Sequence, residues 1–265
     1  MVAIRSFVGR RPLLSFVVLA YLCSWGFIPL IGMPLPWGPM FAALLIVGLA
    51  GGRAGVVAWA RRSFRPSAHW GWYALAMALP VAFAFTGLGV NLWMGAAMPA
   101  EVNWLEPLLL APVMLLFGGM LEEPGWTGFA LPRLIERWRA APLGILVAAL
   151  VMAAIRFSWH LPLMIGGHVA WSDIVWMIGA QIVFVWLYNR GSGSALTIML
   201  LHWMNNTFSG EFVSQLFHGA DSARQSWIMA GLWCALAIGV LIFAGPRLGL
   251  RGRTQTLATE PIRVA

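Results

Sequence analysis

Long apolar runs dominate the chain, and short segments that hold most of the charged and turn-forming residues separate them. Each run approaches or exceeds the roughly 20 residues that an α-helix needs to cross the hydrocarbon core of a bilayer. The runs cover residues 13–31, 38–58, 72–94, 105–130, 142–161, 171–188, 193–210 and 227–245. This pattern predicts an all-α, polytopic membrane protein with about eight transmembrane helices.

The composition agrees with lipid as the solvent. Apolar residues make up 60% of the sequence and charged residues only 10%, and the mean hydropathy is +0.80. A soluble domain needs more polar surface than this composition supplies. We therefore expect a single membrane domain over residues 1–265, with a polar, arginine-rich cytoplasmic tail at 246–265.

The first apolar run has a second interpretation. Arg5, Arg10 and Arg11 precede it, and a basic segment followed by an apolar one is also typical of a secretory signal peptide. However, no clear small-x-small cleavage site follows the run, and seven more apolar runs do. We interpret it as an uncleaved first transmembrane helix.

The arginines indicate the orientation of the chain. All 17 basic residues are arginine. If the N-terminus is cytoplasmic, fifteen of them fall in cytoplasmic segments, Arg224 lies on the opposite side and Arg156 lies inside the fifth run. Cytoplasmic loops carry an excess of basic residues, so this asymmetry predicts both termini in the cytoplasm. The net charge of +8 is then explained by arginines that interact with anionic lipid headgroups, and nucleic acid is not expected as a partner.

Several ionisable groups lie inside the apolar runs, where each costs about 2.5–3.5 kcal/mol even on lenient insertion scales. Glu122 and Glu123 lie about 15 Å of helix away from Arg133, near the middle of the membrane. Pro124 removes one helical hydrogen bond, which predicts a broken helix beside a protein-lined cavity. The alternative is a span that ends at Leu121 and leaves both carboxylates in water.

Two later runs supply further polar groups. His202 and Asn206 are four residues apart and share one helix face, whereas Asn205 and Thr207 are expected to point elsewhere. Arg156 and His160 share a face of the fifth run, although residue counting places His160 nearer the outer surface. A single buried histidine can also be an ordinary core residue. Taken together, the groups predict a polar site in the core of the bundle.

Two carboxylates, two imidazoles and a carboxamide are suited to the hydrolysis of an amide. A glutamate can accept a proton from water and return it to the leaving amine. Histidine and asparagine can donate hydrogen bonds to the oxygen of a tetrahedral intermediate. Alternatively, Glu122, His160 and His202 could hold a zinc ion with water as its fourth ligand. The residue types alone do not choose between these mechanisms.

Three motifs resemble those of the CPBP family of intramembrane proteases. They are Glu122-Glu123 followed by Pro-Gly-Trp-Thr, then Trp159-His160-Leu-Pro, then His202-x-x-x-Asn206, in this order on separate helices. The family includes type II CAAX prenyl endopeptidases and bacterial Abi-like, bacteriocin-processing or immunity proteins. The resemblance covers a catalytic core at about residues 105–210. It implies that Glu122 is the general base, that His160 holds the water, and that His202 and Asn206 stabilise the oxyanion.

Two positions depart from the family pattern. The first motif usually ends in arginine, but Thr127 stands at that position, and the second usually begins with phenylalanine, but Arg156 stands there. Arg156 is therefore expected to supply the charge that Thr127 lacks, and to reach the pair formed by Glu122 and Glu123. The alternative is that Arg156 snorkels or merely pairs with a carboxylate, with activity altered or lost.

The resemblance implies an intramembrane endopeptidase in a bacterial-type cytoplasmic membrane, with a peptide or membrane-protein substrate and the lipid bilayer as its partners. Because most bacterial relatives have no prenylated substrates, cleavage of a prenyl-cysteine tail is not implied. Two other functions fit the same residues. One is a non-catalytic scaffold or immunity protein that binds a peptide in the cavity, and the other is a small-solute transporter, in which buried Glu and His would relay protons.

Overall fold

The computed structural model describes residues 7–250, and these residues form helices without any strand. We label the helices α1 to α8. They are α1 Pro12–Ile31, with a break at 26–27, α2 Gly38–Phe64, α3 Trp70–Trp93, α4 Glu106–Trp138, α5 Gly144–Ile165, α6 Asp173–Arg190, α7 Ala195–Met204 and α8 Gly219–Ala244. After α7 the chain continues as a π-helix, Asn205–Phe212, and a 3-10 turn, Val213–Leu216. The predicted all-α architecture is confirmed.

Six of these helices, α1 to α5 and α8, are long and apolar enough to cross a membrane, as counted over residues 7–250. Helix α6 has 18 residues, or about 27 Å of helix, and it includes buried polar residues such as Gln181 and Asn189. The regular part of α7 has only 10 residues. Both helices pack inside the bundle, where neighbouring helices replace lipid, so they need less apolar surface. The total of eight spans stays a prediction.

Several helices extend beyond the predicted apolar runs at one end. Helix α2 continues to Phe64, α4 continues to Trp138, and α8 begins at Gly219 rather than near residue 227. Gly52 in α2 has φ +56°, a left-handed conformation that interrupts the helix just before Arg53. The interruption separates the apolar first part of α2 from a basic second part, which explains how Arg53 follows so closely on a transmembrane run.

The helices run alternately up and down, so their connections gather at two ends of the bundle. At one end, Asn91 of α3 donates to the carbonyl of Asp221 in α8 at 3.0 Å. At the other end, Asn189 of α6 donates to the carbonyl of Leu248 at 3.0 Å. Among the described arginines, Arg224 lies at the first end and Arg156 inside the bundle. The rest lie at the second: Arg10, Arg11, Arg53, Arg61, Arg62, Arg65, Arg133, Arg137, Arg139, Arg190 and Arg247.

We call these two ends the arginine-poor end and the arginine-rich end. Their contrast agrees with the asymmetry seen in the sequence, and the cytoplasmic location of the arginine-rich end stays a prediction. Arg5, Arg251, Arg253 and Arg263 lie outside the described residues, as does most of the predicted tail at 246–265.

Candidate active site

Helix α4 carries both glutamates into the centre of the bundle. Two π-helical segments, Leu115–Met120 and Trp126–Ala130, flank the short α-helical segment that contains them. Glu122 is 4% exposed and Glu123 is fully buried, within a helix that continues to Trp138. The alternative in which the span ends at Leu121 and leaves the carboxylates in water is therefore wrong. Short π-helical segments within α-helices are frequently found at functional sites.

Glu123 is the centre of a buried polar cluster. Nη2 of Arg156 donates to Oε1 of Glu123 at 2.6 Å, and Nδ1 of His202 lies 2.8 Å from the same oxygen. The hydroxyl of Thr127 donates to the other carboxylate oxygen. The cluster joins α4, α5 and α7, and Glu123 and His202 are 79 positions apart in the sequence. The expected contact between Arg156 and the glutamate pair is confirmed, and its partner is Glu123.

This geometry fixes the ring of His202. A carboxylate only accepts hydrogen bonds, so Nδ1 of His202 carries the proton that it donates to Glu123. Arg156 Nη2 lies 3.4 Å from the same Nδ1, but two donors cannot bond to each other, and both converge on the carboxylate instead. The Nε2 atom of His202 is then free of Glu123.

On the side of this cluster that faces the arginine-poor end lies a cavity of about 480 Å³. Its lining includes Glu122, Arg156, His160, His202 and Asn206. Glu123 is not among the lining residues and lies below them. Within residues 7–250, Oε2 of Glu122 is buried and has no hydrogen-bond partner. The adjacent carboxylates therefore differ in environment, since one is held by three donors and the other faces the cavity.

His160 lies in the wall of the same cavity, one helical turn outward from Arg156. Its Nδ1 lies 2.7 Å from the carbonyl of Arg156, so Nδ1 carries a proton and Nε2 can accept one. Residue counting places His160 nearer the surface than the other groups, and it nevertheless lines the same cavity. The cavity extends outward far enough to include it.

Two glycines allow α4 and α7 to approach each other at the site. A Cβ atom on Gly118 would lie 2.5 Å from Nδ2 of Asn206, and one on Gly119 would lie 2.4 Å from the carbonyl oxygen of Met199. The atom near Gly118 is the end of a side chain, which can move, whereas the atom near Gly119 belongs to the backbone. Gly118 thus makes room for the Asn206 carboxamide, and Gly119 sets the separation of the helices.

We expect Gly118→Ala to displace the Asn206 carboxamide while leaving the fold intact. Peptide cleavage should then fall by about 10²-fold, which is typical for loss of one oxyanion donor. Gly119→Ala is the matched control, because its Cβ would press on backbone and should lower the melting temperature instead. Equal loss of stability in both variants would contradict this distinction.

Other polar residues in the cavity wall were not predicted. Within residues 7–250, three of them have buried side-chain atoms without hydrogen-bond partners: Asn205, Ser209 and Gln225. Asn205 was expected to point away from His202 and Asn206, and this expectation is wrong. The π-helix that begins at Asn205 changes the angular spacing of the residues, so both asparagines face the cavity. Thr207, in contrast, bonds to the carbonyl of Trp203 in its own helix.

The arrangement does not fit a zinc site. Among the described residues, no three His, Cys, Asp or Glu side chains converge closely enough to hold a metal ion. The guanidinium of Arg156 also places a positive charge beside Glu123 and His202, which opposes the binding of a cation there. The alternative set of Glu122, His160 and His202 as zinc ligands is therefore not supported, and no catalytic step is assigned to a metal.

Residues 104–208 match the family described as type II CAAX prenyl endopeptidase Rce1-like. The segment is an Rce1-like domain. The resemblance to CPBP proteases is confirmed, and the matched residues nearly coincide with the predicted core at 105–210. A comparison with curated proteins found no match.

The Rce1-like domain includes all the residues of the Glu123 cluster, as well as Glu122, His160 and Asn206. Helices α1 to α3 and α8 lie outside it. Of these, α8 contributes to the cavity wall through Gln225. The site is thus built mainly by the domain and is completed by a helix beyond it.

Proposed function

We propose that the chain is an intramembrane endopeptidase in which Glu122 activates water for attack on a peptide bond. One observation carries the proposal. Three separate helices bring Glu122, His160, His202 and Asn206 to one cavity, within an Rce1-like domain. The cavity has the volume of typical small-ligand sites and is large enough for a short peptide segment.

Glu122 is the proposed general base. Its Oε2 is buried beside the cavity with no partner in the described part of the chain, so it is available to a water molecule. His160 would hold that water through Nε2, because its Nδ1 is occupied by the carbonyl of Arg156. Glu122 would take one proton from the water as oxygen attacks the carbonyl carbon, and would pass it to the amine as the C–N bond breaks.

Asn206 and His202 are the proposed oxyanion donors. The carboxamide of Asn206 can donate in any protonation state of the site. Nε2 of His202 can donate only when the ring carries both protons, because Nδ1 already donates to Glu123. We therefore assign the constant hydrogen bond to Asn206 and the conditional one to His202.

Glu123, Arg156 and Thr127 are proposed as positioning residues. Glu123 accepts hydrogen bonds from Arg156, His202 and Thr127, and it thereby joins the helices that carry the reacting groups. The second guanidinium nitrogen of Arg156, Nη1, is buried without a partner within residues 7–250. Arg156 thus makes a single contact with Glu123 rather than the two-point fork expected for arginine and carboxylate.

The test is proteolysis of a library of apolar peptides by the purified protein in lipid vesicles, with products identified by mass spectrometry. Hydrolysis in H₂¹⁸O should place one ¹⁸O atom in the new carboxylate. Peptides that bind but stay intact would support the scaffold function instead, and proton flux across the vesicle without cleavage would support transport.

A further inference from the structure

Among the described residues, those that line the cavity extend to one end of the bundle. The lining includes Met33 in the α1–α2 connection, His168 in the α5–α6 connection, and Glu211 after α7. Each of these positions lies at the arginine-poor end. In α8 the lining residues run from Ser222 to Trp233, within the first 15 of its 26 residues, which are the ones nearer that end.

Toward the arginine-rich end the cavity has a closed floor. Trp126 and Phe129 of α4 are fully buried below the glutamates. Phe16 of α1 contacts both, with ring centroids 5.4 Å from Trp126 and 5.1 Å from Phe129. The aromatic layer and the Glu123 cluster together separate the cavity from the arginine-rich end.

The rim of the cavity carries two carboxylates, and much of its wall is apolar. Asp173 and Glu211 line the rim, and Arg224, the described arginine at this end, is already paired with Asp221 at 2.7 Å. Methionines are frequent in the wall: Met33, Met114, Met177 and Met229. Methionine side chains adapt to varied apolar shapes. The rim would attract cations, and the wall would accept apolar side chains of different sizes.

Gln225 adds a specific polar group to this wall. It is 5% exposed, and within residues 7–250 both its Oε1 and its Nε2 lack hydrogen-bond partners. A buried carboxamide without partners destabilises a fold unless something else binds it. A carboxamide can donate and accept at once, which matches the C=O and N–H groups of an extended peptide backbone.

We infer that the cavity takes its substrate from the arginine-poor end, and that this substrate is an apolar peptide segment with basic residues, anchored through its backbone by Gln225. The inference rests on the proposed function, because it names the substrate class of the same site. If the arginine-rich end is cytoplasmic, the substrate approaches from the opposite side of the membrane.

Cysteine labelling tests the direction of access without any need for cleavage. The background carries Cys23→Ser and Cys234→Ser. Single cysteines are then introduced as Ser226→Cys in the wall and Ala153→Cys near the floor. Each variant is exposed to a small, charged thiol reagent in right-side-out and in inverted vesicles. Ser67→Cys, exposed in the α2–α3 connection, is the control for the arginine-rich end. Both cavity variants should react from one side and Ser67→Cys from the other. Reaction of Ala153→Cys from the Ser67 side, or from neither side, would overturn the inference.

The peptide class is tested by protection of Ala153→Cys. A peptide with an apolar core and flanking lysines should protect the thiol at a concentration at least about tenfold lower than the same core flanked by glutamates, and salt should reduce the difference. Equal protection by both peptides would overturn the assignment of a basic substrate. Loss of cleavage with normal labelling and protection would reject the proteolytic function alone.

Gln225→Met tests the anchor, because methionine keeps the length of the side chain and removes both unpartnered atoms. We expect an unchanged or higher melting temperature, a KM raised about tenfold, and little change in kcat. Gln225→Glu keeps the shape but loses the donor, so it should also raise KM. A lower melting temperature with unchanged KM in Gln225→Met would show a structural role and overturn the anchor.

Discussion

Glu122→Gln should reduce peptide cleavage by about 10²–10⁴-fold, the range of general acid–base catalysis, while the protein folds normally. Glu122 makes no hydrogen bond through Oε2 within the described residues, so a carboxamide of the same shape removes no ion pair. The measurement is kcat on a library-derived peptide, together with the melting temperature in detergent. The melting temperature should change far less than in a variant that breaks a buried ion pair.

The adjacent residue provides the matched control. Glu123→Gln neutralises the carboxylate that receives Arg156 and His202, which leaves a buried guanidinium without its counter-charge. Removing one partner of a buried ion pair typically costs about 3–5 kcal/mol. Glu123→Gln should therefore lower the yield and the melting temperature first, with activity falling as a consequence. A stable Glu123→Gln variant without activity, beside an active Glu122→Gln variant, would exchange the two roles.

Much of the fold was predictable because lipid imposes a simple rule on sequence. The bilayer selects apolar runs of nearly constant length, and six described helices meet that rule. Helices α6 and α7 meet it less well because they lie inside the bundle, where packing against protein permits residues such as Gln181 and Asn189. Helix α8 starts eight residues earlier than its apolar run, because a polar first part of a helix carries no hydropathy signal.

The members of the site were predictable because charged groups inside an apolar run need partners. That argument predicted that Arg156 reaches the glutamate pair, and Nη2 of Arg156 lies 2.6 Å from Oε1 of Glu123. It could not choose between Glu122 and Glu123, which are adjacent and equally acidic in the sequence. The choice depends on the π-helical segments on either side, which set the direction of each side chain and which no spacing rule for a regular α-helix predicts.

Gln225 shows a second limit of prediction from the sequence. Gln225 lies between Arg224 and Trp227, in a stretch that the sequence assigned to a loop. Only the packed bundle shows that α8 already includes this residue and turns it toward the cavity. The resemblance could not supply it either, since the Rce1-like domain ends at residue 208.

Arg156→Phe should destabilise the protein by about 3–5 kcal/mol and abolish cleavage, because it leaves the Glu123 carboxylate buried without its cation. Phenylalanine is the common residue of the family motif at this position, so the side chain itself is compatible with the fold family. The yield of folded protein, its melting temperature and peptide cleavage would be measured for this variant and for Arg156→Lys. The lysine variant keeps the charge and should lose less stability.

The double variant Thr127→Arg with Arg156→Phe should recover part of both losses. The hydroxyl of Thr127 already bonds to the Glu123 oxygen opposite the one that Arg156 contacts, so an arginine at 127 starts one helical turn from the same carboxylate. It would restore the usual family motifs, with the cation on α4 instead of α5. Thr127→Arg alone should be less stable than the double variant, because two guanidinium groups would then compete for one anion. If Arg156→Phe matches the parent in yield and cleavage, or if the double variant is no better than Arg156→Phe, then Arg156 does not replace the arginine missing at position 127.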